Sequence, residues 1–378
     1  MILDRGGIEL YYDHWGAQCI SHDLLLDGEQ ATVGRVRSMH RLNAEVANEW
    51  LDDTWAEGAL VLDLSLRRLC WFESEGLPPR ITSTLLEQTW DGWMAAWVPV
   101  GMRGILRFLG LDPIPVLGQP VKGESRDEAG IGLLSPHWVC SAKINGVVEE
   151  KQGISNDSLM SVRFADGTVW TTALGVWLGV VAELPWEWVI EFVRQAQADG
   201  RAGAGPGGAW ATDTERHEES NWALEGFYVD VPNRRFSWWS KVHETHHFDS
   251  FRRNWPGFTI IELGDNYEWQ ERSAGISGIQ PPVVDALRWA RNDLVRAIER
   301  GRQEANPAAS AAAKLAEQGV KVELSPWTEV HVPAARRIAG KRVLAEIDRL
   351  IDADVKQLSP VRFLNTKGDL IEPCDGEQ

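Results

Sequence analysis

The chain is short of cysteine, of long hydrophobic runs and of basic residues. Its four cysteines are scattered through 378 residues without a C-x-x-C pair, which is typical of reduced thiols in a cytosolic protein. The most apolar segment, residues 169–193, is interrupted by charged residues, and its uncharged part, 169–182, is too short to cross a bilayer. The N-terminus lacks the basic and apolar regions of a signal peptide. We therefore predict a cytoplasmic protein.

Basic residues are clearly outnumbered: 38 Lys and Arg against 55 Asp and Glu give a formal net charge of −17. A nucleic-acid-binding protein needs a basic footprint, and an anionic membrane surface repels an acidic chain. Neither nucleic acid nor a membrane is therefore the expected partner. A protein partner with a basic surface is favoured, because charge complementarity speeds association. The length of the chain implies more than one domain.

What the chain has in excess is tryptophan, with 20 residues, and internal repetition. Residues 60–72 (LVLDLSLRRLCWF) and 227–239 (FYVDVPNRRFSWW) share an aspartate, an arginine pair and an aromatic pair at the same spacing. A second correspondence follows, with WDGW at 90–93 and WPGF at 255–258. Repetition of this kind predicts a duplicated domain. We interpret the tryptophans mainly as core residues.

Each repeated block consists of two β-prone runs separated by four residues, which is the spacing of a hairpin. One arginine of each pair is expected to form a salt bridge with the aspartate of the block across that hairpin. Helical periodicity predicts helices at 31–50, 82–90, 283–305 and 333–351.

These elements predict the α+β class with antiparallel sheets. We expect two tandem similar lobes, each built from a β-hairpin, a helix, a strand and a helix, followed by a C-terminal helical region. The predicted domains are residues 1–130, 131–280 and 281–378.

The motif with the clearest chemistry is His243-Glu244-Thr-His-His247, which fits H-E-x-x-H. On a helix it places two zinc ligands one turn apart, with the glutamate as general base. The equivalent connection of the first block, residues 73–89, contains no histidine. We therefore prefer a surface histidine cluster and keep a zinc-dependent hydrolase as the alternative. We expect no enzyme activity and no cofactor.

Candidate partner-binding residues lie in two segments. The first is an aromatic run that enters a loop, and exposed tyrosine and tryptophan often mark binding surfaces: Tyr11, Tyr12 and Trp15. The second is an acidic segment that follows a glycine-rich loop: Asp213, Glu215, Glu218 and Glu219.

The hairpin pattern D-x-x-x-R-R-x-x-W, together with the W-x-G-W turn, resembles immunity proteins of bacterial polymorphic toxin systems, of the Rhs-type or contact-dependent kind. The residues that carry the resemblance are Asp63, Arg67, Arg68, Trp71, Trp90, Gly92 and Trp93, with their counterparts in 222–276. The resemblance implies a protein that binds a toxin domain, such as an ADP-ribosyltransferase or a nuclease, and occludes its active site. It implies no catalytic residues. A glycan-binding module, with tryptophans lining a groove, is a further alternative.

Overall fold

The computed structural model describes residues 1–12, 20–41, 56–74, 76–117, 158–174, 178–198, 223–242, 251, 253–303, 314–321 and 334–372. Helices and mixed sheets occur together in these ranges, so the predicted α+β class is confirmed. The prediction that the sheets are antiparallel is wrong, because both sheets also contain parallel strand pairs that join segments far apart in the chain. Within the described part of the chain, no helix is long and apolar enough to cross a membrane.

The strands in these ranges are β1 (Ile2–Asp4), β2 (Gly7–Glu9), β3 (Tyr11–Tyr12), β4 (His40–Arg41), β5 (Gly58–Asp63), β6 (Arg68–Glu73), β7 (Met94–Trp97), β8 (Ser158–Arg163), β9 (Val169–Leu174), β10 (Glu225–Asp230), β11 (Arg235–Ser240), β12 (Thr259–Glu262), β13 (Phe363–Leu364) and β14 (Leu370–Ile371). The helices are α1 (Ile20–Ser38), α2 (Pro79–Thr89), α3 (Gly101–Phe108), α4 (Pro113–Leu117), α5 (Leu178–Glu183), α6 (Trp186–Ala198), α7 (Tyr267–Ala274), α8 (Val283–Gln303) and α9 (Ala334–Asp352).

The first compact unit comprises residues 1–50, 57–96 and 283–359. Five neighbouring strands of its sheet lie in the order β2-β1-β5-β6-β7. β1 pairs antiparallel with β2 and parallel with β5, and β5 and β6 form the antiparallel hairpin that the first repeated block predicts. Helices α1, α2, α8 and α9 pack against one another in the same unit. The C-terminal helices therefore share a core with the first sheet.

Large apolar side chains hold this unit together. Trp71 and Phe72 on β6 are completely buried, as is Leu24 on α1. Trp90, at the end of α2, is also buried and donates its indole N–H to the Leu24 carbonyl oxygen at 3.2 Å. Burying each such side chain contributes roughly 2–3 kcal/mol. These tryptophans are core residues, as expected from the sequence.

Helix α1 differs from its prediction. The predicted helix spans residues 31–50, whereas the observed one runs from Ile20 to Ser38 and is followed by strand β4. Gly28 has a φ of 73° and interrupts the helix, which breaks the 3.6-residue periodicity that the prediction follows. The buried residues before this kink were therefore missed. The other three predicted helices are confirmed with small shifts at their ends as α2, α8 and α9.

The second compact unit comprises residues 51–56, 97–282 and 360–378. Its sheet has the order β9-β8-β10-β11-β12. β8 pairs antiparallel with β9 and parallel with β10, β10 and β11 form the second predicted hairpin, and β12 runs parallel to β11. The core contains fully buried aromatic side chains from the hairpin and the following turn: Phe227, Phe236, Trp238, Trp239 and Trp255.

The segment after residue 359 is bound to the rest of the second unit by hydrogen bonds to two carboxylates, one buried and one half-buried. Asp265 accepts a hydrogen bond from the Val361 amide at 2.9 Å. Glu262, on β12, accepts hydrogen bonds from the amide and the hydroxyl of Thr366 at 2.8 and 2.5 Å. Burial raises the pKa of Glu262, and the hydrogen bonds from Thr366 oppose that rise.

The strands β2-β1-β5-β6-β7 of the first sheet correspond in order to β9-β8-β10-β11-β12 of the second, and the first three pairings in each row have the same sense. Single hydrogen bonds also correspond. The Met94 amide donates to the Arg67 carbonyl oxygen at 2.8 Å, and the Thr259 amide donates to the Arg234 carbonyl oxygen at 2.8 Å. A duplicated domain would produce such a correspondence. The tandem lobes and the three domain boundaries stay predictions.

The aspartate of each repeated block organises the hairpin turn and does not pair with the arginines that follow it. Asp63 accepts hydrogen bonds from the amides of Ser65 and Leu66 at 3.0 and 2.9 Å. Asp230 forms an ion pair with Arg163 of β8 at 3.4 Å. Within the described ranges, neither arginine pair forms a salt bridge with these aspartates. The expected cross-hairpin salt bridge is therefore wrong, because the backbone amides of the tight turn are nearer donors to these carboxylates.

The repeated arginine and glycine occupy matching backbone conformations. Arg67 and Arg234 have φ values of 49° and 51°, and Gly92 and Gly257 have φ values of 76° and 77°. Arg67 Nη1 donates to the Asp91 carbonyl oxygen at 2.9 Å. A Cβ atom on Gly92 would lie 3.2 Å from that same nitrogen. The repeated residues of the first unit thus fasten one turn to another.

Candidate functional site

A tyrosine, a glutamate and an arginine meet at the surface of the first unit; we call this group the Tyr11 cluster. Tyr11 lies on β3 and donates its hydroxyl hydrogen to Glu9 Oε2 at 2.6 Å. Arg37, in the last turn of α1, donates from Nε and Nη2 to the two carboxylate oxygens of Glu9, both at 3.1 Å. Arg37 Nη2 also reaches Asp4 Oδ2 at 3.3 Å. Glu9 therefore lies at the centre of the cluster and orients the side chains of Tyr11 and Arg37.

The contacts in the Tyr11 cluster shift the pKa of each ionisable group toward the form that keeps the hydrogen bonds. Hydrogen bonds from Arg37 and then from Tyr11 lower the pKa of Glu9. Burial and then the hydrogen bond to Glu9 raise the pKa of Tyr11, and the hydrogen bond to Glu9 raises the pKa of Arg37. At neutral pH the phenol therefore keeps its proton and donates it to a charged carboxylate. Bidentate pairing orients the guanidinium of Arg37, whose side chain is 40% exposed.

Two of the predicted binding residues lie in the described part of the chain, and they lie together. Tyr11 pairs with Arg41, and Tyr12 with His40, in the short antiparallel ladder of β3 and β4. Both tyrosines are half-buried. The other predicted residues lie outside the described ranges: Trp15, Asp213, Glu215, Glu218, Glu219, His243, Glu244 and His247.

Glu9 and Arg37 complete the cluster, but the sequence alone predicts neither of them as a binding residue. They lie 28 positions apart, so no local pattern links them. The only hint in the sequence is that Arg37 lies in the last turn of α1, where a positive charge interacts favourably with the helix dipole. That signal predicts a helix end and not a partner.

A second cluster of ionisable groups is buried at the start of α1. Glu73, the last residue of β6, accepts a hydrogen bond from the Ser21 amide at Oε2, at 2.9 Å. Ser21 Oγ in turn accepts one from the Leu77 amide at 3.1 Å. His22 follows Ser21 in the chain, and its Nε2 lies 2.5 Å from Oδ2 of Asp293 on α8. The helix start is thus tied to both the sheet and α8.

Glu73 is the most perturbed carboxyl of the first unit. Burial raises its pKa to about 8, and the hydrogen bonds from Ser21 oppose that rise. Within the described residues, Oε1 of Glu73 has no hydrogen-bond partner. The nearby charge of Asp23 raises the pKa further, while Asp23 itself pairs with Arg35 at 2.7 Å. With a pKa of about 8, Glu73 is mostly protonated at neutral pH.

Within the described ranges, no three His, Cys, Asp or Glu side chains are placed to hold a metal ion.

The Tyr11 cluster can bind a partner through a phenol ring and a guanidinium group, both already oriented. Comparison of the chain with protein-family models, with curated proteins and with solved structures finds no match.

Proposed function

We propose that this chain is a cytoplasmic immunity protein that binds the catalytic domain of a bacterial toxin and covers its active site. The observation that carries the proposal is the Tyr11 cluster, an oriented tyrosine–arginine surface on a chain of net charge −17. The repeated hairpin and turn resemble those of immunity proteins, and this resemblance suggests a toxin domain as the partner.

The Tyr11 cluster has the chemistry of an interface centre. Tyrosine and arginine are enriched among the residues that dominate binding energy in protein interfaces. Ordering a flexible side chain on binding costs roughly 0.5–1.5 kcal/mol. The hydrogen bonds to Glu9 have already ordered Tyr11 and Arg37 in the free protein. Less binding energy is therefore lost to ordering when a partner docks.

The charge of the chain supports a toxin that acts on nucleotides or nucleic acids. ADP-ribosyltransferase and nuclease sites bind phosphate groups, so such surfaces are basic. An acidic protein competes for the same surface and is steered toward it. A net charge of −17 provides that attraction over a distance set by the salt concentration.

Replacing Tyr11 or Arg37 with alanine is expected to weaken binding to the toxin domain encoded by the neighbouring reading frame. Each change should raise the dissociation constant about 30-fold, the effect of roughly 2 kcal/mol at an interface centre. Isothermal titration calorimetry measures the constant, and growth of cells that express the toxin measures protection. Arg349→Ala is the matched control, because Arg349 is also an exposed arginine bonded to a glutamate, Glu346.

The two parts of the proposal can fail separately. If the unchanged protein neither binds the toxin domain nor protects the cells, the proposed function is wrong. If it binds and both alanine variants bind equally well, the function stands and the Tyr11 cluster is not the contact surface.

Metal analysis separates the proposal from the zinc-hydrolase alternative. The purified chain is expected to carry far less than one zinc ion per molecule, because the binding proposal gives the histidines 243–247 no metal role. Inductively coupled plasma mass spectrometry gives the ratio. A ratio near one that drops in both His243→Ala and His247→Ala would favour the hydrolase, in which Glu244 would act as the base.

A further inference from the structure

The turn of the second hairpin presents an arginine over two aromatic rings. The guanidinium carbon of Arg234 lies 4.2 Å from the centre of the Trp186 ring and 5.2 Å from the centre of the Phe258 ring. The two rings are 5.3 Å apart and tilted by 51°, so they form a cradle under one face of the guanidinium group. Arg234 itself is exposed.

Each part of the cradle is held in place by the fold. Trp186 is the first residue of α6, and Phe258 lies directly before β12. The Thr259 amide donates to the Arg234 carbonyl oxygen at 2.8 Å, which joins the hairpin turn to the strand beyond Phe258. Phe258 also packs edge-on against the buried Trp255 at 5.2 Å. Stacking on fixed rings restrains the guanidinium plane before any partner arrives.

The equivalent arginine of the first unit is used differently. Arg67 has the same backbone conformation, but its Nη1 donates to the Asp91 carbonyl oxygen. Within the described residues, the guanidinium of Arg234 has neither a hydrogen-bond acceptor nor a carboxylate within ion-pair distance. Its N–H groups are therefore available to a ligand, in a fork that matches the two oxygens of a carboxylate.

Cations are concentrated at this turn of an acidic chain. Arg163 and Arg235 are exposed beside it on β8 and β11. Acidic residues also lie nearby: Glu187, exposed next to Trp186 in the chain, and Asp230, which is 8% exposed and bonded to Arg163. Asp166, in the turn after β8, is exposed and bonded to Thr168 at 2.6 Å. Within the described residues, Arg234 and Arg235 are the arginines of this turn that have no carboxylate partner, and an incoming negative group would meet them first.

We propose that Arg234, on its Trp186–Phe258 cradle, is a docking site for a glutamate or aspartate side chain of a protein partner. A protein is favoured over nucleic acid because a net charge of −17 repels a polyanion, whereas a short acidic segment meets only the local cations. Aromatic rings beside an arginine are also characteristic of protein-interface centres. The site does not depend on the toxin being the partner.

The probe for this site is a capped five-residue peptide, Ala-Glu-Leu-Glu-Ala, titrated into the full-length protein. We expect weak binding, with a dissociation constant on the order of 1 mM or above, which nuclear magnetic resonance can follow. The indole N–H signal of Trp186 is identified by its loss in Trp186→Phe. We expect that signal to shift with the peptide and to saturate, and we expect Arg234→Ala to weaken the binding at least tenfold.

The matched control is Arg67→Ala, which removes the equivalent arginine and should leave the titration unchanged. Arg234→Lys keeps the charge but loses the planar fork, so it should bind at least threefold more weakly than the unchanged protein. The proposal is overturned if the Trp186 signal does not respond, if Arg234→Ala binds normally, or if Arg67→Ala has the same effect. It is also overturned if the peptide with glutamine in place of glutamate binds equally well. A single-stranded DNA 12-mer that binds more tightly than the peptide would make nucleic acid the ligand and overturn the protein assignment.

Discussion

Replacing Gln270 with leucine is expected to destabilise the second unit by about 3 kcal/mol. Gln270 is completely buried on α7. Its amide nitrogen donates to the carbonyl oxygens of Leu159 and Phe227 and to Ser161 Oγ, at 3.2, 3.1 and 2.9 Å. Its amide oxygen accepts the indole N–H of Trp239 at 2.6 Å. Leucine fills the space but satisfies none of these groups, and each unsatisfied buried polar group costs about 1–3 kcal/mol.

Chemical denaturation of the full-length protein, followed by circular dichroism and tryptophan fluorescence, measures the loss. Gln88→Leu is the control, because Gln88 is an exposed glutamine on a helix, and its effect should stay within about 0.5 kcal/mol. Trp239→Phe removes the indole N–H that Gln270 accepts. The double variant should therefore be more stable than the sum of the two single effects predicts. A loss below about 1 kcal/mol for Gln270→Leu, or strict additivity in the double variant, would show that this buried hydrogen-bond network contributes little.

The sequence predicts the two hairpins because their signals are local. The repeated blocks 60–72 and 227–239 lie almost entirely within β5–β6 and β10–β11 and their turns. Two β-prone runs joined by a short turn need no information from elsewhere in the chain. The helices that begin or end at proline and have regular apolar spacing, such as α2 and α8, are predicted for the same reason.

The pairing partners of these hairpins depend on contacts between distant residues. β1 pairs in parallel with β5, and the Leu62 amide donates to the Met1 carbonyl oxygen at 2.9 Å across 61 positions. The helices after residue 282 join the first unit across an even longer separation. One sequence contains no pattern that links such segments.

In the Tyr11 cluster, too, the local sequence predicts one residue, and contacts between distant residues determine the others. The aromatic run predicts that Tyr11 marks a binding surface, and the structure places Tyr11 next to a carboxylate and an arginine. The contact between Glu9 and Arg37 depends on where α1 ends relative to β2, which the sequence does not state. The cradle of Arg234 likewise requires Trp186, forty-eight positions earlier in the chain. The repeat marks Arg67 and Arg234 as equivalent, and only the structure shows that their guanidinium groups have different neighbours.

The stability of the first unit is expected to fall as the pH rises from about 4.5 to about 8, through the buried carboxyl of Glu73. Burial raises the pKa of Glu73 from 4.5 to about 8 in the folded protein. Between these values the folded state keeps a proton that the unfolded state has released. The free energy of unfolding therefore decreases by about 1.4 kcal/mol per pH unit in this window, and this contribution becomes constant above it.

Glu73→Gln removes this titration and keeps the size of the side chain. Other groups titrate over the same range, so the quantity to measure is the difference in unfolding free energy between the variant and the unchanged protein. That difference should be lowest near pH 5 and should grow by about 3 kcal/mol by pH 7.5 in favour of the variant. Glu317→Gln removes the same charge from an exposed site of the same unit and should show no such trend. A difference that is flat between pH 5 and 8 would mean that Glu73 is already ionised in the folded protein. In that case the hydrogen bonds from Ser21, together with the partial positive charge at the start of α1, would outweigh its burial.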